Sequence, residues 1–120
     1  LTDGRLALNS HKNIRFAGQI TGVEGYIESA MTGIIAGLDA AFALQNKPII
    51  EFPETTMTAA LLRHTADKTS KNYQPLGASM GLLPPLPDKI KDKQLRYEAL
   101  AQRAITDLET TLSQHKEVTP

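Results

Sequence analysis

Between Gly18 and Gln45 the chain passes from a glycine-rich turn into a long apolar stretch with small residues at regular spacing. No other feature constrains the fold as much. Gly18, Gly22 and Gly25 punctuate the turn. Thr21 and Glu24 stand three apart, the spacing of a capping box in which each side chain satisfies the other's free backbone N–H. The pattern predicts a helix from there to about Gln45. Val23, Ile27, Met31, Ile34, Leu38 and Phe42, three or four apart, form its expected apolar face. Ser29, Gly33, Gly37 and Ala41 recur at every fourth position of the same helix. Glycine inside a helix costs up to about 1 kcal/mol relative to alanine. Two on one stripe imply close approach of a flat neighbour, a sheet surface or another helix backbone. A membrane dimer uses a similar motif, but Glu24, Glu28 and Asp39 argue against it. The run from Ala30 to Leu44 is broken by Asp39 and too short to span a bilayer comfortably, so a buried helix is expected.

The flanking segments fill in a mostly helical chain. Arg5–Leu8 and Ile14–Ala17 alternate like short strands around the polar turn at 9–13, and Ile49–Phe52 reads as a brief strand before Pro53. Asn46–Lys47–Pro48 ends the long helix. Thr55 or Thr56 can cap a short helix ending near Ala66, with Ala59, Leu62 and Ala66 facing inward. Residues 67–87 hold Asn72, Pro75, Gly77, Gly81, Pro84, Pro85 and Pro87, a density of breakers that excludes a regular element. Tyr73, Leu76, Met80, Leu82, Leu83 and Leu86 make this an ordered, packed loop, and such loops are often functional. Asp88 is the expected cap of a last helix over about Lys89–His115. Ile90, Tyr97, Ala101, Ala104, Leu108 and Leu112 form its apolar stripe, with Leu100 and Ile105 beside it and an Asp92–Arg96 pair at i,i+4.

Composition limits the chemistry. The 120 residues amount to about one modest domain. Thirteen Lys plus Arg balance thirteen Asp plus Glu, so nucleic-acid binding by bulk charge is excluded and any such contact needs a local patch. There is no cysteine, which removes disulfides, thiolate metal sites and a cysteine nucleophile. His11, His64 and His115 are scattered with no carboxylate at ligand spacing, so no metal site and no Ser-His-Asp arrangement is supported. Glu24 and Glu28 share a helix face; a capping role for the first, and partnership with a buried polar group for the second, outweigh general acid–base roles. The chain opens with Leu1 and its first residues lack the basic and apolar regions of a signal peptide. A fragment of a longer, cytoplasmic protein is expected.

Two places carry binding potential. From Gly18 to Tyr26 a strand runs into a glycine-rich turn and a helix start, where free N–H groups and the helix dipole favour anions. The spacing is not the G-x-G-x-x-G fingerprint; a ligand-contacting turn and a tight turn without ligand both remain open on the pattern. Lys89, Lys91, Lys93 and Arg96, with Lys68 and Lys71 before them, concentrate positive charge at the start of the last helix, where cations oppose the dipole. A solvated face and a phosphate-backbone contact are the two readings.

The string from Phe16 through Gly18-Gln19-Ile20-Thr21-Gly22-Val23-Glu24-Gly25-Tyr26 to Ala30 closely resembles the C-terminal part of the folate- and FAD-dependent tRNA (uracil-5-)-methyltransferases, a family of GidA-related flavoproteins. Leu61-Leu62-Arg63, Asn72-Tyr73-Gln74-Pro75, Gly81-Leu82-Leu83-Pro84-Pro85-Leu86 and Arg96-Tyr97-Glu98-Ala99-Leu100-Ala101 fit as well, so the likeness runs from about Leu6 to Leu112. GidA-type tRNA uridine carboxymethylaminomethyl-modifying enzymes share the turn, but Gly81–Leu86 fits the methyltransferases better. The resemblance implies an α+β fragment, predominantly helical with a few short strands, forming the C-terminal part of an FAD/NAD(P)-binding Rossmann-like fold. Residues 1–46 would close the FAD-binding domain, and residues 47–120 would hold the short helix, the ordered loop and the long helix. It further implies a parent that methylates a T-loop uridine of tRNA at C5 with methylenetetrahydrofolate, FAD and NAD(P)H.

Carried over by position, Gly18, Gln19, Ile20, Thr21, Gly22, Val23, Gly25 and Tyr26 would contact FAD, with Gly18 and Gln19 near the ribityl and pyrophosphate part. Lys89, Lys91, Lys93 and Arg96 would touch tRNA. The family's cysteine chemistry and dinucleotide fingerprint have no counterpart here, so no catalytic residue is expected in the fragment, and by itself it should be inactive and bind no cofactor. Its expected partners are tRNA, the missing N-terminal half and, in isolation, a second copy; no membrane is implied. The rival reading is a noncatalytic helical interaction module.

Overall fold

The computed structural model of the chain describes residues 2–66 and 76–115. Three helices dominate: α1 (Tyr26–Leu44), α2 (Met57–Thr65) and α3 (Lys93–Ser113), with single 3₁₀ turns at Gln19–Thr21 and Met80–Leu82. Extended pairing among the described residues is confined to isolated bridges, Thr2 with Leu8, Ala7 with Arg15 and, in parallel, Val23 with Leu76. The Leu8 N–H to Ile14 carbonyl and Phe16 N–H to Leu6 carbonyl bonds preserve the expected hairpin direction, but neither arm becomes a regular strand. Leu6 explains why: it is fully buried with φ at 70°, a conformation that breaks a strand and costs roughly 1–3 kcal/mol for a bulky residue. Asp3 holds it there, its Oδ1 accepting from the N–H groups of Arg5 and Ala7 at 2.8 and 3.1 Å. Ile49–Phe52, expected as a brief strand, forms no regular element.

The chain divides into two compact units, Leu1–Ile49 with Leu61–Ala78, and Ile50–Ala60 with Ser79–Pro120. In the first, α1 is the central element. It begins at Tyr26 with Gly25 as N-cap and no side-chain cap, so the expected Thr21–Glu24 capping box does not form. Thr21 instead donates its hydroxyl to the Gly18 carbonyl at 2.7 Å, closing the preceding 3₁₀ turn. The C-terminus is a Schellman closure with asparagine in the left-handed position: Asn46 has φ 55°, Lys47 N–H reaches the Phe42 carbonyl at 2.9 Å and Asn46 N–H the Ala43 carbonyl at 3.2 Å.

The buried face of α1 is Thr32, Ile35, Asp39 and Phe42, rotated from the expected Val23–Phe42 stripe. Ile27 and Ile34, both on that stripe, are 83% and 63% exposed. The rotation follows from the polar anchors. Asp39, 1% exposed, accepts from Arg5 Nη2 at 2.7 Å and Nε at 2.8 Å, a bidentate pair that holds the far half of the helix. Thr32, fully buried, holds the near half through Gly18. These two residues set the inward face, and the larger aliphatics follow or are left outside. Length and mean hydropathy (1.4) would also let Tyr26–Leu44 cross a membrane, but the buried Asp39–Arg5 pair fixes it to its own unit.

The second unit is built on α3. Its N-cap is Asp92, which accepts from Leu95 N–H at 2.9 Å; the helix therefore starts four residues after the Lys89 expected from an Asp88 cap. The Asp92 carboxylate is used as a cap and not in a pair with Arg96, whose guanidinium donates to the Ile90 and Lys91 carbonyls at 3.2 and 3.5 Å. The buried residue of α3 is Leu100, expected beside the stripe and not in it, while its companion Ile105 is half exposed. Arg103 clamps the proline run, donating to the carbonyls of Pro84 and Pro85, and Thr55 donates to Asp107 at 2.5 Å. Helix α2 is capped by Thr56, whose hydroxyl accepts from Ala59 N–H at 3.2 Å, one of the two expected positions. Its Ala60, Leu61 and Leu62 are buried. Of the breaker-rich loop, 76–87 are described and contain only the Met80–Leu82 turn, closed by Ser79; Asn72–Pro75, Lys68 and Lys71 lie outside the described residues.

Candidate functional site

The Gly18–Tyr26 turn is held by its own polar atoms. Gly18 donates its N–H to the Thr32 hydroxyl at 2.7 Å, and that hydroxyl passes its own hydrogen to the Ser29 carbonyl at 2.6 Å. The Gly18 carbonyl receives the Thr21 hydroxyl and the Thr21 N–H. Gly22 donates to the Gln19 carbonyl at 3.0 Å. On the other side, Leu76 N–H binds the Gly22 carbonyl at 2.9 Å and Glu24 N–H binds the Leu76 carbonyl at 3.0 Å. The turn is therefore sewn to the second turn of α1 and to the segment at 76–78. Gly18, Gly22 and Gly25 have φ of 90°, 102° and 99°, which L side chains avoid; at Gly25 a Cβ would in addition sit 2.3 Å from Glu28 Oε2.

The eight residues expected to contact a cofactor do not all face the same way. Gln19, Ile20 and Tyr26 are exposed, Ile20 at 77% and Tyr26 at 95%. Gly18 and Gly25 are half-buried. Thr21, Gly22 and Val23 are buried, and the Thr21 and Val23 side chains belong to the core. The exposed edge is thus an apolar and backbone surface beside a helix start whose N-cap offers no side chain, so that the Tyr26 and Ile27 N–H groups have no intrahelical acceptor. These residues fit a planar group with a hydrogen-bond-accepting, electron-rich edge: glycines allow close approach, the amides can donate, and Ile20 and Tyr26 supply apolar contact. Glu28, on this helix start, accepts from Ala78 N–H at 3.0 Å. That bond, with one to its own backbone N–H, holds its carboxyl below the usual range. The partner expected for Glu28 is a buried polar group; the partner found is instead the backbone N–H of exposed Ala78, fifty residues away.

The basic cluster lies in the second unit. Lys89, Lys91 and Lys93 are exposed, and no acidic partner lies within ion-pair distance of them among the described residues. Lys93 Nζ and the Arg96 guanidinium stand 5.5 and 5.6 Å from the centre of the Tyr97 ring. Lys89, Lys91 and Arg96 rim an open groove of about 500 Å³ floored by Leu83, Leu86, Ile90 and Leu100. The four cations are thus brought to one end of α3. Among the described residues no group of acidic and histidine side chains could hold a metal ion.

Residues 1–48 match the family model described as glucose inhibited division protein A. The chain is 52% identical over 98 residues to methylenetetrahydrofolate–tRNA-(uracil-5-)-methyltransferase TrmFO of Halalkalibacterium halodurans, covering 82% of this chain and 22% of that protein. It is 48% identical over 103 residues to the TrmFO of Staphylococcus aureus strain Newman, covering 85% of this chain and 24% of that protein. The chain therefore spans about a quarter of the length of the curated relatives it matches. With half of its residues shared across four-fifths of its length, and its first 48 residues matching the wider GidA group, the chain matches a segment of the TrmFO proteins.

Proposed function

We propose that this chain is the flavin-closing segment of a tRNA (uracil-5-)-methyltransferase. The intact protein would methylate a T-loop uridine at C5 with methylenetetrahydrofolate, FAD and NAD(P)H, in the cytoplasm. The observation that carries the reading is the uncapped start of α1 beside exposed Gln19, Ile20 and Tyr26, on a backbone fixed by Thr21 and Thr32. Two relatives named for this reaction, at about half identity, favour it over the GidA-type modification. FAD supplies the redox chemistry when bound. This chain's own residues supply a wall: backbone amides for the electron-rich edge of the ring and apolar contact from Ile20 and Tyr26.

Residues 1–46 would close an FAD/NAD(P)-binding Rossmann-like domain. The exposed α1 face of Ile27, Gly33, Ile34 and Gly37 would rest on that domain's sheet, and residues 47–120 would form a separate helical part. Lys89, Lys91, Lys93 and Arg96 would contact tRNA phosphates. No catalytic residue is assigned within the segment. Isolated, it should bind no flavin and should self-associate through Tyr26, Ile27, Ile34 and Leu44, all more than 60% exposed.

The decisive experiment uses the intact protein. Gly22→Asp or Gly25→Asp should abolish the bound flavin absorbance; full flavin retention in both would sink the flavin wall. Reversing Lys89 and Lys91 to Glu should weaken tRNA binding and flatten its dependence on salt. Unchanged affinity would reject the phosphate contact.

A further inference from the structure

Glu28 is the one acidic residue in the first turn of α1, and its side chain folds back over the helix start. Oε1 accepts from Ala78 N–H at 3.0 Å. A Cβ at Gly25 would stand 2.3 Å from Oε2 and 3.1 Å from Cδ, so the carboxylate fills the space that any side chain at the N-cap would take. On the other strand of the junction, a Cβ at Gly77 would come within 3.9 Å of Oε1 and 3.8 Å of the Glu24 carbonyl. Both neighbouring backbones are glycine where the carboxylate passes.

The register of this junction is already fixed by the two bonds between Gly22, Glu24 and Leu76. Ala78 is exposed, so water would satisfy its N–H without Glu28. What the carboxylate adds is a unit of negative charge where the amides of α1 concentrate positive potential. A charge there acts against any negative charge developing on a group that docks on the turn.

We propose that Glu28 is a positioning residue of the flavin site: it clasps the Gly22–Gly25 turn to the Leu76–Ala78 segment, and its charge holds the bound flavin at a lower reduction potential than a neutral side chain would. The inference rests on the flavin-wall reading above and assigns a role that reading leaves open.

The test uses the full-length holoenzyme, equilibrated anaerobically with a reference dye of known potential. Glu28→Gln keeps an acceptor for Ala78 and removes the charge. It should retain FAD and raise the ratio of reduced to oxidised flavin by about three- to tenfold at the same poise, as expected for one partly screened charge. Glu28→Ala removes charge and clasp together. It should raise the ratio likewise, speed hydrogen exchange at Ala78 and weaken FAD binding, each of the last two by about tenfold. Gln should restore the exchange protection and not the potential.

A Glu28→Gln enzyme that keeps its FAD with a ratio within twofold of the parent overturns the electrostatic role. Unchanged exchange at Ala78 in Glu28→Ala overturns the clasp. If the alanine variant does not fold, the glutamine variant alone decides. Flavin retained in Gly22→Asp and Gly25→Asp would fail the underlying reading instead, whatever the Glu28 variants do.

Discussion

The starts of α1 and α3 solve one problem in opposite ways. Each helix exposes first-turn N–H groups and a positive dipole end. At α3 a side chain deals with them: Asp92 accepts from Leu95 N–H, and Lys93 and Arg96 then follow in the first turn despite the unfavourable dipole. At α1 the N-cap is glycine with no side chain to offer, and the Glu28 carboxylate, folded back over the start, takes its own N–H and that of Ala78. The α3 start is locally complete and electropositive at its rim. The α1 start is held in place by the hydrogen bonds of its neighbours Gly18, Gly22 and Leu76, yet its first N–H donors have no intrahelical acceptor. A helix end kept open on a fixed backbone is suited to receive a group from outside, whereas a capped end ringed by lysines can only attract a polyanion over its surface.

If that contrast is correct, damage to the support of α1 should be far more severe than damage to the cap of α3. Asp39→Ala leaves the Arg5 guanidinium without its bidentate partner inside the first unit and should cost about 3–5 kcal/mol in urea denaturation; a loss below about 1 kcal/mol would mean that Asp39 does not anchor the helix. Gly25→Ala combines a forbidden φ with a clash against Glu28 and should cost about 1–3 kcal/mol. The same change at Gly18, where the added Cβ meets nothing, should cost less. Asp92→Ala removes one cap and should cost about 1 kcal/mol, read as fraying of α3 by amide exchange.

The smallest effect expected is in acid. Burial pushes the Asp3 carboxyl up, but the Lys12 ammonium and the Arg5 and Ala7 N–H groups outweigh it and hold it below its ordinary 3.8. Glu28 is likewise held below 4.5, by the Ala78 N–H and then its own. With both values depressed on folding, their stabilisation is complete above the ordinary values and fades as pH falls through the lowered ones. Carboxyl carbon shifts of Asp3 and Glu28 followed by NMR should therefore give midpoints under 3.8 and 4.5; ordinary midpoints would remove the clasp from the comparison.

What was legible in the sequence was whatever depended on near neighbours. The end of α1 at Asn46–Lys47–Pro48, the Thr56 cap and the existence of three helices follow from local chemistry, and the structure keeps them. The apolar face of α1 was misread because spacing counts hydrophobic residues equally. The inward direction was decided by Asp39 meeting Arg5 thirty-four positions away and by Thr32 meeting Gly18. The capping box failed for a related reason: the Glu24 N–H that Thr21 would have capped binds the distant Leu76 carbonyl at 3.0 Å. At α3 the cap expected at Asp88 falls to Asp92, which spacing had paired with Arg96. In the turn itself the glycines were legible, but the division between buried Thr21 and Val23 and exposed Ile20 and Tyr26 needed the fold.

Gly33 and Gly37 are exposed, and an added methyl group at either meets nothing within 4 Å among the described residues. Judged by this segment alone, each is a wasted opportunity: alanine would stiffen the helix and cost no contact. On the packing proposed above, the two glycines would act as a mould, keeping the outline of a surface that a larger protein presses against them. Filling them would then make the piece more robust and the whole less able to close.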